Sequence, residues 1–166
     1  MPYTAVEREQ LIRRYETGPA KLRDAFAGVP REAWKWRPAP GEWSVHEILC
    51  HCADSETNAA ARIRYLVAEE KPVILGYDQA RWAQVLDYHS LRIELALAAV
   101  DVMRAHTVNL LRGLPEEAWA REGTHTESGR YTAEDWLKTY AEHLEIHARQ
   151  IERNLEAWRA EQTHPG

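Results

Sequence analysis

The chain has 166 residues, 45% of them hydrophobic, and carries 21 Lys and Arg against 26 Asp and Glu, a formal net charge of −5 at pH 7. That length is one domain's worth, residues 1–166, able to bury about two thirds of the surface its unfolded form exposes. The mild acidity and the scatter of basic residues do not suit a chain that neutralises phosphates, so neither nucleic acid nor an anionic membrane is an expected partner.

The periodicity predicts helices joined by proline- and glycine-bearing loops, with no alternating strand. Residues 4–27 carry Leu11, Tyr15, Leu22 and Phe26 at helical spacing, and Gly18-Pro19 is a point at which this helix kinks or splits. Residues 28–43, GVPREAWKWRPAPGEW, hold three prolines and two glycines and cannot continue it. Residues 44–69 form the second helix, with Val45, Ile48, Cys52, Ala59, Ile63 and Leu66 inward. Its start is a capping box, Ser44 at the N-cap and Glu47 three residues on, with Trp43 and Ile48 as the hydrophobic staple. EEKPVILGYD (69–78) breaks the helix, and a short helix covers YDQARWAQVL (77–86). Residues 90–112 make the third long helix, with Leu95, Ala99, Val102, Met103 and Leu110 expected on its inward face. The fourth, 132–160, is capped by Thr132 with Asp135 as box partner, Tyr131 as staple to Trp136, and Leu137, Tyr140, Leu144, Ile151, Leu155 and Trp158 inward.

GVPREAW (28–34) and GLPEEAW (113–119) share the pattern G-x-P-x-E-A-W, and each precedes a capped helix. The chain therefore reads as two related helix pairs in an all-α four-helix bundle, the long stretch between the second and third helices being a crossover connection. The apolar runs are short and the first sixteen residues lack a signal-peptide segment, so a cytoplasmic location is expected. Cys50 and Cys52 are two apart on a helix, where side chains diverge. They read as small buried hydrophobes rather than a disulfide or a zinc knuckle.

Eight histidines carry the chemical signal. In YAEHLEIHARQI (140–151), His143 and His147 are four apart on one helical face, a spacing that lets two imidazoles share one ion. His147 falls on the inward stripe, three residues after Leu144, and His51 lies three after Ile48 near the middle of the second helix. A buried imidazole without partners costs about 1–3 kcal/mol, so neighbouring buried rings call for a shared partner. Three neutral imidazoles from two helices leave an ion one position open, as in catalytic rather than structural sites. Glu47, Asp54 and Glu142 are candidates for orienting the ligands, although each read singly is a surface acid. His46 is expected to face solvent, and His89, His125 and His164 lie in or near loops and the tail. His106 continues the expected inward line between Met103 and Leu110; it is a fourth ligand, a substrate contact or a hydrogen-bonded core residue, the last being favoured.

PAPGEWSVHEILCHCADSE (38–56) resembles the W-S-x-x-E-x-x-x-H segment of the DinB/YfiT family. SGRYTAEDWLKTYAEHLEIHARQI (128–151) resembles that family's closing H-x-x-x-H helix, and GYDQARWAQV is similar to its central stretch. The resemblance implies an up-down-down-up four-helix bundle that binds a divalent metal ion, zinc or nickel, through three histidines, which fall here on His51, His143 and His147. It also implies a homodimer acting on a small-molecule substrate. Characterised relatives include transferases and isomerases that use a low-molecular-weight thiol of the bacillithiol, mycothiol or glutathione class, while others are described as metal-dependent hydrolases.

An open three-histidine ion can lower the pKa of a bound thiol, so that the thiolate attacks an electrophile, or can generate hydroxide for hydrolysis. The first reading is accordingly a thiol transferase, the second a hydrolase, and the third a non-catalytic metal-binding stress-response protein. The pocket is expected where the histidines meet the Trp34–Trp43 loop, although Trp34, Trp36 and Trp43 read more readily as core and staple residues.

Overall fold

Residues 3–163 are described by the computed structural model. Among them the helices are α1 (Ala5–Ala27), α2 (Val45–Ala68), the short α3 (Gln79–Val85), α4 (Ile93–Arg112) and α5 (Ala133–Thr163). Cross-helix pairs fix the directions. Arg8 meets Glu134 and Lys21 meets Glu145, so α1 and α5 run parallel. His51 lies beside His147 and Arg62 beside Tyr140, so α2 opposes α5. Glu56 meets Arg104 and Arg64 meets Thr107, which makes α2 and α4 parallel. The order is therefore up, down, down, up, with residues 69–92 as the crossover. None of the described helices is long and apolar enough to cross a membrane.

Three helices start on reciprocal capping boxes: Thr4 with Glu7, Ser44 with Glu47, and Thr132 with Asp135. Each satisfies backbone N–H groups that the first turn leaves without partners. The two G-x-P-x-E-A-W segments fold alike, each proline leading into a short 3₁₀ helix, Arg31–Ala33 and Glu116–Ala120, that buries Ala33 or Ala118.

Contrary to the expected break at Gly18-Pro19, α1 is continuous. Proline at 19 has no N–H for the carbonyl of Tyr15, and the Arg104 guanidinium supplies the missing donor at 2.5 Å. Gly18 makes room for this: a Cβ there would stand 3.1 Å from Leu144 Cβ and 3.2 Å from Arg104 Nη1.

Two further expectations are corrected. The chain does contain strands: β1 (Val73–Ile74) pairs in parallel with β2 (Glu122–His125), which pairs antiparallel with β3 (Gly129–Thr132). Strands of two and four mostly polar residues carry no alternation signal, and Gly123 permits a close approach that a Cβ, 2.4 Å from the Pro72 carbonyl oxygen, would block. The second correction is the face of α4. Ile93, Ala96, Leu97, Val100, Arg104, Thr107, Val108 and Leu111 are buried, whereas Leu95 and Val102 are each 60% exposed. The inward stripe contains an arginine and a threonine, so the competing stripe, apolar but for His106, looks better in sequence. His106 consequently faces outward and is neither a core residue nor near the other histidines.

Candidate metal centre

His51 projects from α2, and His143 and His147 project from consecutive turns of α5. Ring centroids are 4.6 Å apart for His143–His147, 4.8 Å for His51–His147 and 5.5 Å for His51–His143. One ring nitrogen from each lies within 4.8 Å of the others. The structure thus brings together the three histidines singled out in sequence. Cys50 and Cys52 are buried and free, as expected.

The hydrogen bonds around these rings prepare them as acceptors. His147 Nδ1 is 2.8 Å from Gln150 Oε1; with the proton on Nδ1 and donated to that oxygen, Nε2 carries a bare lone pair. That Nε2 lies 3.2 Å from His143 Nε2, and His143 Nε2 is 3.4 Å from Ser55 Oγ. On its other side His143 Nδ1 is 3.4 Å from Glu56 Oε1. His51 Nδ1 is buried with no hydrogen-bond partner, and the Trp43 ring covers His51 at 4.7 Å. Burial first, then the neighbouring His147 and His143, holds His51 down to about 2; burial and then His143 hold His147 down to about 4. Both rings are neutral at physiological pH, the form in which imidazole binds a metal. Ring nitrogens converging from three histidines, one of them orphaned and buried, are what a shared divalent cation satisfies, so this donor set fits one.

Glu56 is fully buried. It receives Arg104 Nε at 2.7 Å and Nη2 at 2.6 Å, and the Tyr15 hydroxyl at 3.3 Å. Although burial alone would raise its pKa, Arg104 and His143 hold it below the usual carboxylate value. A carboxylate behind a metal-ligating histidine fixes ring orientation and raises ligand basicity. Sequence reasoning passed over Glu56, Arg104 and Gln150, though a signal existed. Glu56 stands four after Cys52 and three before Ala59, and Arg104 four after Val100 and four before Val108, so opposite charges interrupt two apolar stripes.

The acids proposed to orient the ligands are engaged elsewhere: Glu47 with Arg37 and the Ser44 cap, Asp54 with the Tyr88 hydroxyl, Glu142 with Arg14. His46 does not face solvent. It is buried under Leu91, whose carbonyl is 2.9 Å from its Nε2, because residues 88–91 cover the start of α2. His89 lies 2.8 Å from Ser44 Oγ, His125 is in β2, and His164 lies outside the described residues. Of the expected aromatic wall, Trp43 lies against His51, whereas Trp34 packs on Phe26 and donates its indole N–H to the Val29 carbonyl.

Comparison with known proteins agrees with this arrangement. Residues 14–151 match the family model of the DinB superfamily. A protein of Oceanobacillus iheyensis is 31% identical over 140 residues, covering 84% of this chain and 81% of its own. One of Bacillus licheniformis is 31% identical over 156 residues, covering 90% and 87%. The names of both provisionally assign them to metal-dependent hydrolysis. The solved structure of YfiT from Bacillus subtilis, described as a probable metal-dependent hydrolase with an unusual four-helix bundle topology, superposes with a TM-score of 0.86 at 25% identity, covering 92% of this chain and 88% of that one. With a family model spanning most of its length and the same helical order in a solved relative, the chain belongs to the DinB superfamily.

Proposed function

We propose that the protein is a metal-dependent enzyme whose His51, His143 and His147 hold one divalent ion, zinc or nickel, and that it transfers a low-molecular-weight thiol of the bacillithiol, mycothiol or glutathione class to an electrophilic substrate. The observation that carries the metal reading is the convergence of three imidazoles with an unpaired buried nitrogen among them. When bound there, a divalent ion lowers the pKa of a ligating thiol or water and stabilises the developing anion.

The surrounding residues favour a thiol over water as nucleophile. Glu47, Asp54, Glu56, Glu142 and Glu145 are each committed to an arginine, lysine or tyrosine partner, so none is poised as a general base. A thiol, with an unperturbed pKa of about 8.5, ionises on a cation without a protein base. The chain's own cysteines do not supply it: burial pushes Cys50 up to about 12 and Cys52 well above the usual thiol value. Gln150 holds the His147 ring, Glu56 stands 3.4 Å behind His143 Nδ1, and Trp43 covers the His51 ring.

The second reading, hydrolysis, is favoured by the names of the relatives. Both are tested together. Purified protein is expected to carry about one metal per chain, lost in His51→Ala and His147→Ala; retention in both variants eliminates the site. Thiol-dependent loss of an electrophile such as a chlorodinitrobenzene supports transfer. Turnover of ester or amide panels without any thiol supports hydrolysis instead.

A further inference from the structure

Beside the histidines lies a second set of polar groups that the metal reading leaves unused. Arg62, on α2, donates from Nη1 to the Tyr140 hydroxyl at 2.9 Å and from Nη2 to the Leu75 carbonyl. Its guanidinium carbon is 5.7 Å from the centre of the Tyr77 ring. Both acceptors are neutral, and Arg62 forms no ion pair among the described residues. Arg8, Arg14, Arg37 and Arg104 each meet a carboxylate. Asp54, two turns earlier on α2, accepts from Tyr88 instead.

This uncompensated charge sits next to the metal centre. The Tyr140 ring that receives Arg62 lies 5.7 Å from the His143 ring. The Tyr77 hydroxyl is buried near Ser55 without a hydrogen bond of good geometry, and Ser55 Oγ is 3.4 Å from His143 Nε2. Tyr77 comes from the crossover, steadied by its ring contact with Trp82 at 4.4 Å. A guanidinium with unused N–H groups and an orphaned phenol therefore flank the histidines on one side. A buried hydroxyl left unpaired costs free energy, and a planar guanidinium matches a planar anion. Oxygen acceptors bearing negative charge satisfy both groups at once.

We infer that Arg62 and Tyr77 bind a carboxylate of the substrate whose reacting end meets the histidine cluster. This rests on the metal reading above and adds to it a class of substrate, small carboxylic acids. The acid can sit on the thiol or on a second molecule, and the test separates the two.

The protein is loaded with cobalt, and binding is followed through the sulfur-to-cobalt absorption band. The probes are 3-mercaptopropionate and its neutral, nearly isosteric amide, the amide being titrated with and without propionate. Tighter binding of the acid than the amide, by about tenfold or more, places the carboxylate on the thiol. A comparable gain for the amide when propionate is present places it on a second molecule. In either case the gain is expected to vanish in Arg62→Met and to shrink in Tyr77→Phe, which removes only an unpaired hydroxyl, with cobalt content unchanged in both. Equal binding of acid and amide with no propionate effect, or a preference that persists in both variants, overturns the assignment and leaves the metal site intact. A protein that takes up no cobalt overturns the metal reading and this one with it.

Discussion

Two buried polar clusters lie side by side in this bundle, and they differ in how completely they are satisfied. In one, Arg104 directs its donors to both oxygens of Glu56 and to the Tyr15 and Tyr140 carbonyls, and its guanidinium stacks 3.7 Å from the Tyr15 ring centre. In the other, His51 Nδ1 has no partner and two Nε2 atoms face each other at 3.2 Å. The clusters meet where His143 Nδ1 lies 3.4 Å from Glu56. Burial of polar groups alone therefore does not mark a ligand site; unmet hydrogen-bonding capacity among converging ligand-type side chains does. The saturated cluster ties α1, α2, α4 and α5 together, and the unsaturated one is the proposed cation site.

The largest expected effect breaks the saturated cluster. Arg104→Met leaves a buried, uncompensated carboxylate and strips the donor from the Tyr15 carbonyl, and it is expected to cost about 3–5 kcal/mol in chemical denaturation. Pairing it with Glu56→Met restores much of that stability, because both charges are then gone. Metal affinity of the double variant is nonetheless expected to fall by about 10- to 100-fold, since His143 has lost the carboxylate behind it. Stability and metal binding thus recover differently, which a purely structural role for Glu56 does not produce.

The unsaturated cluster is expected to behave in the opposite way. His51→Ala should lower the stability of the metal-free protein less than Arg104→Met does, because it removes a buried nitrogen that has no partner. It should abolish the stabilisation by zinc, which for the parent chain amounts to about 2.7 kcal/mol at a free concentration 100 times the dissociation constant. Thermal unfolding with and without zinc measures both.

Acid gives a graded contrast. His51 and His147 are held neutral in the fold, down to about 2 and about 4, while in the unfolded chain they titrate near 6.5. The unfolded state therefore takes up protons first. Stability of the metal-free protein is full above about pH 6.5 and declines as pH falls below it, by up to about 1.4 kcal/mol per pH unit for each ring. Denaturation of the metal-free His51→Ala/His147→Ala variant across the same range should show a flatter slope.

Much of this was legible in the sequence, and the exceptions share a cause. Hydrophobic spacing placed α2 and α5 within a residue or three of their observed ends, and the same spacing selected His51, His143 and His147. On α4 it turned Leu95 and Val102 inward, although of that face only residues such as Ala99 and Leu110 pack on the core, because Arg104 and Thr107 interrupt the true stripe. It marked a kink or split at Pro19 because the donor that repairs it comes from 85 residues away. Tyr77 and Arg62 carried no local sign, since the crossover brings the one near the other. Periodicity reports apolar faces; it is silent on buried charge that finds its partner in tertiary structure.

The smallest effect tests whether the two sides of α5 are independent. Glu145 lies between His143 and His147 in sequence but faces α1, where it accepts from Arg14 at 2.7 and 2.9 Å and from Lys21 at 2.7 Å. Those bonds, Arg14's foremost, hold its pKa down to about 2 against the opposing effect of burial. A carboxylate whose pKa is depressed on folding stabilises above its unfolded value, near 4.5, and that contribution fades as pH falls toward 2. Glu145→Gln is expected to cost only about 1 kcal/mol at neutral pH, because the Arg14 and Lys21 side chains are 39% and 51% exposed and water screens the pair. The difference from the parent chain should shrink in acid and in high salt, with metal content unchanged. Weakened metal binding in this variant would mean that the α1 contacts also set the histidine geometry, so that the two faces of α5 act as one unit.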